Sequence, residues 1–131
     1  MPTGFALETA SSIEVIAAYS APHTVVPAVA ASPGWYVLGE FYLPKTVSKA
    51  RLDAVMMVSS GTLTCRVRLF DMTAKAEVSG SRAQSQTTSP KRILSGVVAL
   101  TGGRNFQIQA ECTGGTGAGL FATVETATIT D

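Results

Sequence analysis

Two stretches of this chain alternate apolar and polar side chains with a strict period of two. Residues 62–69 read TLTCRVRL, and residues 105–112 read NFQIQAEC. Because successive side chains of a β-strand point to opposite faces of a sheet, this pattern predicts two strands that each have one buried and one solvated face. No stretch of a dozen residues has a sustained helical period, so we expect an all-β protein.

Other segments predict strands from their length and their β-branched content. Three of them are apolar on both faces: residues 35–43, 52–58 and 93–100. Burial of both faces indicates a central position in a sheet or a covered outer face. Strands nearer the ends of the chain are predicted at residues 11–19, 25–30 and 120–129. The polar segment 79–92 predicts an exposed edge strand or a long loop.

Glycine-rich turns separate these predicted strands. The sequences SSG at residues 59–61 and TGGR at 101–104 are typical of short hairpins. The sequence GGTGAG at 114–119 predicts a flexible hairpin loop. It precedes a predicted strand and lacks the lysine of a phosphate-binding loop, so it does not predict a nucleotide site.

Chain length and strand spacing together favour one architecture. Seven to nine strands, spaced about every 8–12 residues, predict an antiparallel β-sandwich or barrel. A chain of 131 residues exceeds an immunoglobulin-like domain and suits an eight-stranded jelly roll. We expect residues 35–131 to form this jelly-roll domain. Residues 1–34 would then form an extended N-terminal arm or the first strand or strands.

The charge pattern limits the kinds of partner. A net charge of +1 argues against a general nucleic-acid binder, which needs many phosphate contacts. No apolar run approaches the ~18–20 residues of a membrane span, and no basic region precedes an apolar core as in a secretory signal. The first 44 residues contain no lysine or arginine and carry a charge of −3, whereas the remainder carries +4. This asymmetry suits an N-terminal segment that contacts the basic surface of a neighbour.

Catalytic chemistry has little support in the sequence. The one histidine, His23, stands beside Pro22 with no nucleophile or metal-ligand motif around it. Apart from Glu8 and Glu14 in the predicted arm, the nine acidic residues show no spacing that forces a carboxylate pair together. We therefore expect no catalytic residue, no metal site and no cofactor.

The two cysteines, Cys65 and Cys112, each lie on the apolar face of a predicted strand. As free thiols they would pack as small hydrophobic side chains. A disulfide would form if their strands faced each other across the sandwich, but the expected compartment is reducing.

Two sets of surface residues are candidates for binding. Tryptophan and tyrosine rings are typical sugar-stacking groups, although alternation places Trp35 and Tyr36 on opposite faces. Basic side chains can pair with the acidic surface of a protein partner, or they can simply keep a face solvated. The candidate partner-binding residues of this basic set are Arg66, Arg68, Arg82, Lys91, Arg92 and Arg104.

Three segments between residues 41 and 130 share a common pattern: VRLFD at 67–71, VSGS at 78–81 and GVVALTGGRNFQIQAE at 96–111. In this pattern, residues 41–130 resemble the small jelly-roll accessory proteins of tailed-phage virions, which include the capsid cement or decoration proteins and related tail modules. The resemblance implies a non-catalytic virion protein, assembled in the host cytoplasm, which bridges and reinforces major capsid or other virion subunits, often as a dimer or trimer. A carbohydrate-binding or receptor-binding β-sandwich module is the alternative, and a sandwich-type inhibitor or adaptor is also compatible.

Overall fold

The computed structural model describes residues 15–19, 23–25, 34–115 and 119–130. These residues form β-strands and no helix, and every strand pairing among them is antiparallel. The all-β, antiparallel class predicted from the sequence is therefore confirmed. The strands in chain order are β1 (Val15–Tyr19), β2 (His23–Val25), β3 (Tyr36–Leu43), β4 (Lys49–Val58), β5 (Thr64–Asp71), β6 (Ala76–Glu77), β7 (Ala83–Ser85), β8 (Lys91–Leu94), β9 (Val98–Ala99), β10 (Arg104–Thr113) and β11 (Ala122–Thr130).

The strands form two sheets around a common core. The first sheet has the order β1-β11-β4-β8, with β2 also paired to β11 and β9 to β4. The second has the order β3-β10-β5-β6, with β7 also paired to β5. Alternation in β4, β5 and β10 points one set of apolar side chains inward, and Leu52, Leu69 and Phe106 are fully buried there. The arrangement is that of a β-sandwich, in which the inner faces of two sheets bury their apolar side chains against each other.

The short connections predicted as hairpins join strands of different sheets. Residues 59–63 lead from β4 to β5, residues 100–103 from β9 to β10, and residues 114–121 from β10 to β11. The hairpin predictions are therefore wrong. Glycine and serine identify a tight turn, but they do not determine whether the next strand pairs with the previous one or crosses to the opposite sheet. Leu63, fully buried, closes the core at one crossing.

Two predicted strands differ from expectation for identifiable reasons. The strand predicted at 93–100 is split into β8 and β9, because Ser95 bonds the backbone of Leu52 with both its amide and its side chain, each at 2.9 Å. The strand predicted at 35–43 is not central. Its counterpart β3 pairs with β10 alone among the described strands and leaves Val37 and Tyr42 exposed.

The polar segment 79–92 is only partly exposed. It contributes the short strand β7, and its small residues Ser81, Ala83 and Ser85 are buried. The Ser81 hydroxyl accepts a hydrogen bond from the amide of Leu69 at 3.0 Å, which satisfies a polar atom in the core. Burial of serine against the core was not expected from the polar composition.

Part of the predicted N-terminal arm belongs to the first sheet. Val15 in β1 pairs with Thr130, and His23 in β2 pairs with Val124, so both strands lie along β11. The first strand predicted at 11–19 overlaps β1. The short strand predicted at 25–30 shares only Val25 with β2, and its other residues lie outside the described ranges.

Candidate functional site

The outer face of the second sheet carries a continuous row of hydrogen-bonded polar side chains. Gln107 Nε2 donates to Glu40 Oε1 at 3.1 Å, and Gln109 Nε2 donates to Gln107 Oε1 at 2.8 Å. Arg68 Nε then donates to Gln109 Oε1 at 2.9 Å. We call this row, together with the ion pairs that continue it, the polar ladder; its members are Glu40, Gln107, Gln109, Arg68, Glu77 and Arg82.

Glu77 joins two arginines at the far end of the polar ladder. Its carboxylate accepts a hydrogen bond from Arg68 at 3.0 Å and is bound by Arg82 through two nitrogens at 2.9 Å. Burial alone would raise the pKa of Glu77, but hydrogen bonds from Arg82 and Arg68 outweigh it and lower that pKa below its ordinary value. The side chains at this end are therefore held in a fixed arrangement, in which one carboxylate joins two guanidinium groups.

Strand register explains why these residues meet. Gln107 lies opposite Glu40, and Gln109 lies opposite Arg68. Side chains on one face of neighbouring strands are about 5 Å apart when their residues are directly opposite. The outward set predicted from period-two alternation in β5 and β10 thus forms one connected surface.

Trp35 lies over the polar ladder, and Tyr36 does not. The guanidinium carbon of Arg68 is 3.8 Å from the centroid of the Trp35 ring, and that of Arg82 is 5.4 Å away. These distances are those of cation–π contacts. Tyr36 packs against the hydrophobic core instead, as alternation predicts. The two rings therefore do not form a joint stacking platform.

The structure distributes the predicted basic set over several places. Arg66, beside the polar ladder, donates to Thr113 at 2.8 Å and to Glu111 at 3.5 Å. Arg104 pairs with Asp71 at 3.0 Å where β10 begins. The other sheet holds Lys91 and Arg92 in β8, and Arg92 donates from Nε to Asp53 at 2.8 Å. The six residues thus do not meet in one patch, and five of them face a carboxylate.

Sequence reasoning missed a sixth arginine, Arg51. All of the chain's arginines lie in the described ranges, and Arg51 is the one among them without a carboxylate partner. It stands one residue before the strand predicted at 52–58, so it was not considered with the strand faces. Extending the alternation of that strand by one residue would have placed it on the outer face.

Cys65 and Cys112 lie directly opposite each other on β5 and β10, within one sheet rather than across the sandwich. Both are free, buried thiols. Burial, followed by the neighbouring Cys112 and Glu111, raises the pKa of Cys65 to about 12. Burial also raises the pKa of Cys112. Thiols with raised pKa values are poor nucleophiles, so both behave as small core side chains.

No known protein family matches the chain, and no curated protein matches it. Within the described ranges, no three histidine, cysteine, aspartate or glutamate side chains are grouped so that they could hold a metal ion. The same ranges contain no helix of the length and apolarity that crossing a membrane requires. The features available for a functional proposal are the polar ladder with Trp35, the exposed side chains of β3 and the unpaired Arg51.

Replacing Glu77 with glutamine is expected to lower the free energy of unfolding by about 1–2 kcal/mol at neutral pH, because Arg68 and Arg82 lose their shared counter-charge. A carboxyl pKa lowered by folding stabilises the protein above the unfolded pKa of about 4, and this stabilisation is lost as the pH falls through the folded value. The wild-type free energy of unfolding should therefore fall in acid, and less steeply in Glu77→Gln.

Urea denaturation between pH 7 and pH 3 measures both effects. Glu125→Gln is the matched control, because Glu125 lies in β11 on the other sheet. Equal stability of Glu77→Gln and wild type at neutral pH, with parallel acid profiles, would contradict the role given to Glu77.

Proposed function

We propose that this chain is a non-catalytic structural virion protein of the capsid cement or decoration type, which binds a phage shell and bridges neighbouring coat subunits. It would be located in the virion, with major capsid or other virion proteins as its partners. The support for the virion setting is the resemblance of residues 41–130 to such accessory proteins. The support for protein binding is the outer face of the second sheet.

The observation that carries the proposal is the fixed geometry of that outer face. Binding immobilises side chains, so a surface whose arginines are already held by Glu77 and Gln109 loses less conformational entropy when it docks. Tryptophan, tyrosine and arginine are also the residues enriched at the centres of protein interfaces. This face presents them together, with Tyr42 exposed at its β3 edge.

We further infer that the sandwich is a jelly roll. If β1 and β2 count as one position, and likewise β6 with β7 and β8 with β9, the chain has eight strand positions. Numbered along the chain, they lie in the order 1-8-3-6 in the first sheet and 2-7-4-5 in the second. This order is compatible with the paired Greek keys of an eight-stranded jelly roll, which is also the fold that the resemblance implies.

A cement role makes modest demands on each copy. Many weak contacts around a shell add up through multivalency, so a small interface per copy is sufficient. We prefer this role to a carbohydrate-binding one because Arg68 covers one face of the Trp35 ring and Tyr36 lies on the core side. We also propose that the chain is a homo-oligomer, which would give each unit several contacts with the shell.

The proposal is tested by adding the purified chain to phage particles that lack it. Tyr42→Lys is expected to weaken binding at least about tenfold, because it replaces an aromatic contact of the proposed interface with a strongly solvated charge. Tyr42 is 62% exposed, so the fold should be unaffected. The measurement is the amount of chain that pellets with particles as its concentration is raised.

Leu94→Lys is the matched control, since Leu94 is 43% exposed and lies in β8 of the other sheet. It should bind particles as the wild type does. Equal binding by all three proteins, or loss of binding in Leu94→Lys alone, would contradict docking through the outer face of the second sheet.

A further inference from the structure

The strongest unexplained group in the described structure is the side chain of Arg51. Ala50 and Leu52 on either side of it are fully buried in the core, so alternation places Arg51 on the outer face of the first sheet. Its Nε atom is buried and has no hydrogen-bond partner. A buried polar atom without a partner is uncommon in folded proteins and calls for an acceptor.

Thr130 supplies a second, independent observation at the same place. It lies directly opposite Arg51 on β11, only 3% of its surface is exposed, and its hydroxyl oxygen also has no hydrogen-bond partner. Two unpaired polar groups thus lie side by side on adjacent strands. The Arg51 Nε–H and the Thr130 hydroxyl can both donate to an oxygen acceptor, and a carboxylate would also balance the arginine charge. Lys49, exposed and two residues before Arg51, adds positive charge on the same face.

The chain itself contains an acidic segment that is joined to β1 near this point. Residues 1–14 contain Glu8 and Glu14 and no basic residue. They join β1 at Val15, and Val15 is paired with Thr130. Since adjacent strands are about 4.8 Å apart, the backbone of Val15, to which residues 1–14 are joined, lies about 10 Å from that of Arg51.

We propose that Arg51 and Thr130 form a carboxylate-binding site, and that its occupant in a homodimer is a glutamate from residues 1–14 of the second copy. Residues 1–14 are joined to Val15, which lies beside the site. A two-fold axis near this end of the sheet would therefore make the exchange reciprocal, with each copy reaching the other's Arg51. Fourteen extended residues span up to about 45 Å, which is ample for the crossing. This inference rests on the proposed function, which includes a homo-oligomer. It deepens that proposal by naming the contact that joins two copies.

Sedimentation velocity on the full-length chain tests this inference without any phage particle. The wild type should be a reversible dimer whose dissociation constant rises with salt, as expected for an ionic contact. Arg51→Gln and the double variant Glu8→Gln/Glu14→Gln should each raise the dissociation constant at least about tenfold, as removal of one partner of a charge pair does. Lys75→Gln, which removes a charge from the turn before β6, should leave it unchanged.

Thr130→Val separates a binding role from a structural one. Valine has nearly the same shape and removes a buried hydroxyl that has no partner, so the melting temperature of the monomer should stay constant or rise. The dimer should nevertheless weaken. Thr126→Val, on the same strand, is the comparison variant. Equal dimerisation of the two valine variants would overturn the site.

Two further outcomes would overturn the inference. One is a wild type that is monomeric at every concentration, which would mean that ordered water or the chain's own segment occupies the site. The other is a dimer that is equally strong in Arg51→Gln and Lys75→Gln. The proposed function has a separate readout. A chain that binds particles but does not dimerise refutes this inference and leaves the cement role standing, whereas a dimer that never binds particles refutes the cement role.

Discussion

Phe106→Ala is expected to lower the free energy of unfolding by about 3–5 kcal/mol, the cost of removing a fully buried aromatic ring and leaving a cavity. Phe106 is fully buried and lies in β10, between β3 and β5. The core of the sandwich therefore loses one of its largest side chains at a central strand. Because the outer face of β10 holds Gln107 and Gln109 of the polar ladder, that face should also lose its fixed geometry.

Urea denaturation followed by circular dichroism measures the effect of Phe106→Ala. Phe70→Ala is the control, because Phe70 points to the outer face of β5 and is only half-buried. It should cost much less. A loss below about 1 kcal/mol for Phe106→Ala, within the range of ordinary surface changes, would contradict the core placement.

Gly114→Ala is expected to lower the free energy of unfolding by about 2–4 kcal/mol, from backbone strain and a steric clash together. Gly114 has a φ of +103°, which L-residues rarely adopt, and an added Cβ would lie 2.3 Å from the carbonyl oxygen of Thr62. The clash involves backbone, so no side-chain rotation relieves it. Two connections that cross between the sheets, 59–63 and 114–121, approach each other at this glycine.

Two further glycines separate the contribution of backbone strain from that of the steric clash. Gly119 has a φ of +81° but nothing within 4 Å of an added Cβ, so Gly119→Ala should show the strain alone, about 1–2 kcal/mol. Gly61 has neither a positive φ nor a close contact, so Gly61→Ala should be nearly neutral. Thermal and urea denaturation rank the three variants. If Gly114→Ala were no more destabilising than Gly119→Ala, the close approach of the two connections would be wrong.

The strands were predictable where one face is wet and the other is buried. Over residues 62–69 and 105–112, which cover most of β5 and β10, every step of the chain changes polarity. The pattern itself therefore predicts both the strand and its inner face. The sheet to which each strand belongs was not predictable. The turns at 59–61 and 101–104 have hairpin composition, yet each crosses the sandwich, because pairing depends on distant partners such as β11 and β10.

The candidate site was predicted by residue type but not by arrangement. Charge alone grouped the arginines into one basic set, whereas register determines which carboxylate each of them meets. Glu77 reaches Arg68 and Arg82 because its strand, β6, pairs with β5. β6 has only two residues and no sequence pattern that would predict it. The lack of a carboxylate partner for Arg51 could not be predicted either, because it depends on which strands lie beside β4 in the folded sheet.

As a cement protein, this chain is proposed to be a structural component of a phage shell. The most direct measurement is density-gradient sedimentation of a lysate that contains intact particles, with mass spectrometry of each fraction. A cement protein should migrate with the particles at a constant ratio to the coat protein, and mild denaturant should release it. Recovery of the chain only at the top of the gradient, while the coat protein sediments with intact particles, would contradict the cement role.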